Sequence, residues 1–569
     1  MFIVFEGIDG SGKTTISNRV MAQLQSQGLE VKHLRAEGRF ASSVTEAMRS
    51  LGRDSRNLEL DPKAEFLLYV TREVQLVEEV LKPALSQFDI VVADRYFPTA
   101  EVLGRYGRHL PREYVEPALQ AVASEVVPDL IILVDVDPTL ARARRKAQKL
   151  AAADARPPAR RGLAGIGLQH RLRAGYQALA TERPERWFVL DNESTLEDSV
   201  RNVSELILRA RQTGTQTALA EMRKRHLRTE KRHAPALRSP ADALNAFVSW
   251  LDKRAVEEPR VAAYMLSGLS GSAIDPLRES LAAREPGAVL AGLGGLDDEV
   301  SWRIRERLQH THPGRVAASL LEISNGDPRA AQLRAALLKS APLEVLSSLQ
   351  GQNDEWSWAE RLRLFSSQPH AVMRSLRGLW HEEAWELRER WLNGYAERLG
   401  ADYELARSAV VSINGSSDER AWSFRNAAWS SAPVAALNSL TALTCERSWQ
   451  RRERSLLRAP KIVMATLRTL RDENAWRLRN AVVADCKEAV DSIMELDDPE
   501  AWELRDRYAD VWASTAVKSL GYVADTPRGQ AFIERQLRLH AGNISLLKHV
   551  SAVALGVHHR GLMNLASDV

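Results

Sequence analysis

The spacing of apolar positions along this chain changes near residue 212. Up to that point, short apolar, strand-like runs at 2–5, 30–34, 90–93, 130–136 and 187–190 alternate with amphipathic helical stretches. Runs this short, apolar on both faces and separated by helices, predict βαβ units and a mostly parallel sheet covered on both sides. Residues 213–240 lose the pattern. They carry the basic residues of 223–228 and 231–233, then Pro235 and Pro240, and predict a linker. From residue 241 the apolar positions return at helical spacing, and they repeat.

The repeat is marked by tryptophan. Trp358, Trp385, Trp422, Trp449, Trp476 and Trp502 each have an arginine three residues on, and most successive copies lie 26 or 27 residues apart. The wider step from Trp385 to Trp422 holds an insertion around Tyr395 to Tyr403. Trp302 with Arg305 keeps the register upstream, and a degenerate copy lies near Ala331. A second, proline-led motif recurs through the repeats, at Pro286, Pro313, Pro342, Pro369, Pro433 and Pro460, about eleven residues after a tryptophan in four of them (Trp302, Trp358, Trp422 and Trp449); its clearest copies read Pro-x-x-Val-x-x-Ser-Leu.

Acidic residues ahead of the tryptophan, such as Asp472 and Asp498, suit a helix N-terminus, and proline suits the first turn of a second helix. Each repeat is therefore expected to be a pair of short helices. One pair cannot bury its own apolar face, so about ten must stack into an α-solenoid of the armadillo or HEAT kind. The tryptophans are expected as wedges between repeats and the arginines as partners of acidic residues next door. The resulting organisation is an α/β domain at 1–212, a basic linker at 213–240 and an all-α repeat domain at 241–569.

Candidate chemistry sits at the front of the chain. Residues 7 to 14 read Gly7-Ile8-Asp9-Gly10-Ser11-Gly12-Lys13-Thr14, between the first apolar run and a helical pattern over 16–24. Strand, glycine-rich turn and helix are the context in which this spacing forms a phosphate cradle. The glycines let backbone N–H groups converge on an anion, and the helix adds its positive end. Lys13 is expected at the β- and γ-phosphates of a nucleotide and Thr14 on Mg²⁺. Gly7, Asp9, Gly10, Ser11, Gly12 and Thr15 complete the candidate nucleotide-binding set. Asp94 and Arg95 end the third strand and should line the same cleft, because ligands of such sheets bind at strand carboxyl ends.

Composition narrows the class. The chain has 569 residues, too many for one ordinary domain, with 44% hydrophobic and 27% charged residues as in soluble globular proteins. A net charge of +4 is small for this length, and no stretch interleaves basic and aromatic residues, so a nucleic-acid surface is not expected. Cys445 and Cys486 have no metal-ligand neighbours and read as buried reduced thiols. With a core strand at the very start and no long apolar run, neither a signal peptide nor a membrane span is expected, and the setting reads as cytoplasmic.

Four segments resemble the thymidylate kinase family of nucleoside-monophosphate kinases. They are the phosphate loop with its inner Asp9, the helix Glu65-Phe66-Leu67-Leu68-Tyr69 continuing to Val77-Glu78-Glu79, the Asp94-Arg95-Tyr96 turn with Thr99, and the strand from Pro128 to Pro138. The resemblance implies a P-loop kinase fold and ATP- and Mg²⁺-dependent conversion of dTMP to dTDP. It implies Arg95 with Arg35 or Arg39 on the acceptor phosphate, Asp9 facing the sugar 3′-hydroxyl, Tyr69 on the base with Arg72 beside it, and Asp94 near Mg²⁺. A lid with Arg142 and Arg145 should close over the phosphates, and a homodimer through this domain is compatible with it. The chain departs from the family pattern at Glu73, where the family has arginine, at Val102-Leu103-Gly104 and in the lid. All three lie on the acceptor or lid side. Two functions follow: a dTMP kinase whose solenoid binds an unidentified protein or regulates, or a nucleotide-sensing scaffold with little turnover.

Overall fold

The computed structural model describes residues 1–34, 43–57, 60–123, 125–151, 165–192, 195–226 and 237–557. The chain divides into two compact units, Met1–Arg145 with Ala159–Ala234, and Lys146–Pro158 with Pro235–Val569.

In the first unit the apolar runs become strands β1 (Phe2–Glu6), β2 (Val31–His33), β3 (Ile90–Asp94), β4 (Leu130–Asp135) and β5 (Trp187–Asp191). Among the described residues they form one parallel sheet in the order β2-β3-β1-β4-β5. Central β1 is buried at every position, which explains why its sequence does not alternate. Register brings carboxylates to one edge: Phe5 pairs with Asp94, and Asp135 with Asp191, at the carboxyl ends of their strands.

The helices bearing on the site are α1 (Lys13–Ser26), α2 (Ser43–Arg53), α3 (Pro62–Leu76), α4 (Lys82–Gln87), α5 (Phe97–Val102), α6 (Arg112–Ala123), α7 (Pro138–Ala151) and α8 (Gly165–Glu182). The last two of this unit, α9 (Leu196–Thr213) and α10 (Thr215–His226), pack together. Much of the expected linker is thus helical. Ala218, Leu219 and Met222 of α10 are buried in the same core as Ile3, Val20 and Phe188, and Arg223 donates to the Trp187 carbonyl at 2.7 Å. The basic run masked three apolar positions on one face of a helix; residues 227–236 lie outside the described set.

The second unit is an α-solenoid. All six prolines of the second motif open a short helix, as in Pro313–Ser319 and Pro342–Ser348. The insertion after Trp385 forms a 3₁₀ turn (Ala396–Arg398) and a proline-free helix, Tyr403–Ser412. Trp302, Trp385, Trp422, Trp449 and Trp502 are buried, while Trp358 and Trp476 are half-buried. Cys486 is buried but Cys445 is exposed, against expectation, because it occupies the N-cap of Glu446–Ser455 and not the apolar face.

The arginines depart from their expected pairing with acids. Arg305, Arg334, Arg361, Arg388, Arg425, Arg452, Arg479 and Arg505 are all fully buried. In Arg361, Nε donates to Ser375 Oγ at 3.1 Å, Nη2 to the Leu349 and Ser375 carbonyls at 2.6 and 3.2 Å, and Nη1 to the Gln352 carbonyl at 3.0 Å. Arg452 and Arg505 repeat the scheme with Thr466 and Ser519. Each guanidinium thus ties the end of the preceding short helix to the serine or threonine of its own second helix. Short helices leave carbonyls without intrahelical partners at their C-termini, and a five-donor fork can satisfy several at once. Each of these arginines on a Trp–Arg pair also lies over its own tryptophan, 4.5–5.2 Å from the ring centroid. Arg278 alone of the core arginines just described and their upstream neighbour keeps the expected acidic pairing, with Asp275 and Asp298.

The aspartates cap helices. Asp354 accepts from Ser357 N at 3.0 Å and Ser357 Oγ at 2.6 Å, and also from Asn325 Nδ2 of the preceding repeat at 3.1 Å. Asp354→Ala is expected to destabilise the second unit by about 1–2 kcal/mol in urea unfolding; a change below a few tenths would show that the cap does not hold the repeat boundary.

The stack closes on itself. Neighbouring short helices pack in sequence along the unit, and the last helix, Ile544–Ala554, packs against the first, Pro240–Glu257. Beside this seam, Leu555 Cδ2 lies 2.9 Å from where a Cβ on Gly271 would sit. Both ends of the repeat array are therefore covered by each other, which removes the exposed apolar ends an open solenoid must cap. Among the described residues, no helix is long and apolar enough to cross a membrane.

Candidate active site

The phosphate loop is a turn that only glycine can make at its key positions. Gly10 and Gly12 have φ of 89° and 96°. A Cβ on Gly10 would sit 2.3 Å from the Ala141 carbonyl oxygen, and one on Gly12 2.6 Å from Asn192 Nδ2. Asn192 Nδ2 in turn donates to the Ser11 carbonyl at 2.6 Å and pins the loop to the end of β5. Ser11 Oγ is buried with no hydrogen-bond partner among the described residues, as an atom aimed at a ligand would be.

Lys13 is buried at the start of α1, and its Nζ donates to the Ile8 carbonyl at 2.8 Å. Burial and the nearby Arg95 charge push its ammonium down to about 8, against the pull of Asp94, Asp9 and Glu6. Thr14 Oγ1 donates to Asp94 Oδ2 at 2.6 Å, so the two expected Mg²⁺ residues meet between the first turn of α1 and the end of β3. Thr15 is exposed.

Arg95 is the hub. Its backbone holds φ at 79°, a conformation that ordinary side chains avoid, tied by its N–H to the Phe5 carbonyl at 3.0 Å. The guanidinium reaches Asp9 Oδ1 at 2.5 Å, Tyr176 Oη at 3.0 Å and Thr99 Oγ1 at 3.3 Å. Burial works against this charge, but Tyr176, Asp9, Tyr69 and Glu6 outweigh it and keep the guanidinium protonated well above its ordinary value. Beneath the hub, buried Glu6 accepts from Tyr96 N at 2.9 Å and Thr99 Oγ1 at 2.7 Å, and burial raises its carboxyl above the usual range.

One cleft runs from this hub outward. It is lined by Asp9, Asp94 and Arg95 at its inner end and by Tyr69, Arg72 and Glu73 of α3 along its wall. Arg49 and Arg53 of α2 line it as well. Arg72 lies 4.1 Å over the Tyr69 ring, and its Nε donates to Glu73 Oε1 at 3.0 Å. Glu65 is engaged by Arg108 at 2.7 Å. Arg145 of α7 comes up to the phosphate loop, its Cγ 2.9 Å from where a Cβ on Gly10 would be, and its buried Nε has no hydrogen-bond partner among the described residues. Burial lowers the Arg145 guanidinium, Asp9 raises it, and Arg142 one turn earlier lowers it further. Arg35 and Arg39 lie outside the described residues.

The expected residues Gly7, Asp9, Gly10, Ser11, Gly12, Lys13, Thr14, Asp94, Arg95 and Arg145 thus gather around one cradle, with Arg142 one turn before Arg145 on α7 and Tyr69 and Arg72 along the adjoining cleft. Sequence reasoning missed Glu6, Tyr176, Asn192, Arg49 and Arg53. Asn192 follows a strand end, the same signal that found Asp94, but Tyr176 and the α2 arginines carry no local mark.

A family model for thymidylate kinase matches residues 5–203. A thymidylate kinase of Solidesulfovibrio magneticus is 35% identical over 191 residues, which cover 34% of this chain and 90% of that protein. One of Pelobacter propionicus is 34% identical over 220 residues, 38% of this chain and 98% of that protein. The chain belongs to the thymidylate kinase family. Membership rests on its first unit; the solenoid lies beyond the matched residues. Within the kinase unit, the phosphate loop, the Asp94–Arg95 turn and the α3 wall are the parts quoted above from sequence, and here they form one continuous site.

Proposed function

We propose that the first unit transfers the terminal phosphoryl group of ATP to dTMP, giving dTDP, with the solenoid as a partner-binding or regulatory domain. One observation carries this reading: the phosphate cradle opens directly into an arginine-lined cleft, and Asp9, Asp94 and Arg95 belong to both. Two phosphate chains can then approach end to end, which is what in-line transfer needs. The printed names of the relatives favour dTMP as acceptor.

The loop fits a nucleotide phosphate chain, since its glycines leave no room for side chains and Ser11 Oγ and Arg145 Nε stand buried without partners. Thr14 and Asp94 would hold Mg²⁺, whose charge, when bound, offsets that of the phosphates. Lys13 exchanges its hydrogen bond to the Ile8 carbonyl for phosphate oxygens, whose negative charge offsets the cost of burying its ammonium. Arg95, fixed by Tyr176 and Thr99, presents its fork to the acceptor phosphate, a bidentate contact a lysine cannot reproduce. Arg142 and Arg145 neutralise charge that spreads over the transferring group. Tyr69, braced by Arg72, forms the wall against which the acceptor base lies.

The test is a coupled assay of the full chain with ATP, Mg²⁺ and, separately, dTMP, dUMP, UMP, CMP, AMP and GMP. Turnover is expected with dTMP. Turnover of another monophosphate in its place would assign Arg72 and Glu73 to a different base. No turnover of any, with ATP still bound, would favour the nucleotide-sensing scaffold, a reading that the extent of the solenoid beyond the kinase unit supports.

A further inference from the structure

Besides the buried arginine three residues on, four of the repeat tryptophans carry a second arginine, supplied by the next repeat. The guanidinium of Arg329 lies 5.9 Å from the centroid of Trp302, that of Arg420 4.5 Å from Trp385, that of Arg447 4.6 Å from Trp422 and that of Arg528 4.1 Å from Trp502. Each of these arginines is the second residue of its helix. Three of them also pair with a glutamate that opens the tryptophan's own helix: Arg329 with Glu299, Arg420 with Glu382 and Arg447 with Glu419, each at 2.9 Å. Indole ring and first-turn carboxylate thus form a seat for one guanidinium. The four rings so covered are at most 5% exposed.

Three repeats lack that second arginine. The helix position that would supply it to Trp358, Trp449 and Trp476 holds Glu383, Asn474 and Glu500. Trp449 is buried all the same. Beside Trp358 the His381 ring stands edge-on at 5.0 Å and engages Glu383 at 2.8 Å. Trp476 has no such substitute. Its ring is half-buried, its Nε1 donates to the Arg471 carbonyl at 3.1 Å, and among the described residues no cation but Arg479 lies over it. Glu473 opens its helix as Glu382 and Glu419 open theirs, yet it is exposed and, among the described residues, in no ion pair. Glu500 is likewise exposed and unpaired among the described residues. The neighbouring cations are engaged elsewhere: Arg471 Nη1 lies 3.5 Å from Asp498 Oδ1 of the next repeat, and Arg477 donates to Glu453. The seat is complete except for its cation, and a carboxylate stands where the other repeats supply one.

We propose that the Trp476 seat, with Glu473 and Glu500, takes an arginine side chain from the surface of a partner protein. That guanidinium lies over the indole and pairs with Glu473, as Arg420 and Arg447 do with their own rings and glutamates. Arginine fits because its flat guanidinium stacks on a ring while its edge donates to a carboxylate, which a lysine ammonium cannot do. Glu500 adds charge complementarity, since it exchanges the internal cation of the other repeats for an anion. Tryptophan and arginine are also the side chains that most often anchor protein interfaces. The proposal rests on the reading of the solenoid as a partner-binding domain and narrows the partner to a surface that presents arginine; it does not draw on the phosphate loop.

Fluorine NMR of the full chain carrying fluorotryptophan tests it, with the Trp476 resonance assigned by its loss in Trp476→Phe. A short peptide of alternating glycine and arginine is expected to shift that resonance saturably, and its lysine counterpart to bind more weakly. Glu473→Gln should weaken the arginine peptide about threefold. Glu500→Arg restores the arginine of the other repeats. It should seat its own guanidinium on Trp476, move the resonance without peptide, raise the melting temperature and leave the peptide no place. Turnover of dTMP, measured on the same samples, should be unchanged, which keeps a failure here apart from a failure of the kinase reading. A Trp476 resonance indifferent to the peptide, equally responsive to lysine, or still responsive in Glu500→Arg overturns the proposal. So does one that moves with protein concentration alone, which would give the seat to a second copy of this chain. A peptide that shifts other solenoid resonances but not that of Trp476 also overturns the seat, while the partner-binding reading stands.

Discussion

Lys13→Met is expected to abolish phosphoryl transfer while making the unliganded protein more stable. Removing a donor that meets charge developing in a transition state costs about 10²–10³-fold in turnover, and Lys13 also anchors the donor phosphates, so the loss should reach or exceed that range. The gain in stability has a separate origin. Burial and Arg95 hold the Lys13 ammonium at about 8, well below its ordinary value of about 10.5. The folded protein therefore carries a buried charge it would shed more readily than the unfolded chain does. A tenfold loss of proton affinity on folding costs about 1.4 kcal/mol. Set against the lost hydrogen bond to Ile8, the variant should gain about 1–2 kcal/mol near pH 7.

The sign can be followed with pH. Below about 8 both states of the unaltered protein hold the proton, and the penalty is fully present. As pH rises from about 8 to about 10.5 the folded state sheds the proton first, stability rises, and the advantage of Lys13→Met fades. Thermal unfolding of both proteins at pH 7 and pH 10, without nucleotide, measures this. A variant less stable at pH 7, or an advantage that grows with pH, would show that Lys13 is not held against its charge.

The second large effect lies in the solenoid. Arg361→Met should destabilise the second unit by about 3–5 kcal/mol, because the carbonyls of Leu349, Gln352 and Ser375 and the Ser375 hydroxyl lose a buried donor together. Arg361→Lys should recover little of it, since an ammonium cannot serve four acceptors set around a planar fork. Burial pushes the Arg361 guanidinium down to about 10, so it stays charged near neutral pH, and the helix-end carbonyls supply the compensation. Urea unfolding followed by tryptophan fluorescence measures the loss. Because the stack closes on itself, the whole unit should unfold at the lower midpoint. A change below about 1 kcal/mol would mean that water replaces the guanidinium without penalty.

The particular elements show where reading the chain succeeded and where it stopped. Four of the five strands follow from short apolar runs, which a sheet covered on both faces favours, whereas edge strand β2 carries Lys32 and His33; the phosphate loop follows from glycines that the turn requires. The helix pairs follow from the spacing of tryptophan and proline. The arginine partners did not follow. Their acceptors are main-chain carbonyls, which every residue carries, so no side-chain pattern marks them. α10 was hidden for a different reason: Ala218, Leu219 and Met222 make only a weak apolar face among charged neighbours.

What the sequence determined alone is a phosphate cradle on a parallel sheet, followed by a repeating array of helix pairs, since both rest on local rules of turn geometry and periodicity. What the tertiary structure alone decided is the Arg95 hub with Tyr176 and Glu6, the α2 arginines in the cleft, the carbonyl-bound arginine of each repeat, and the meeting of the array's two ends. These depend on distances between residues remote in the chain, and such distances are set by packing, which periodicity does not encode.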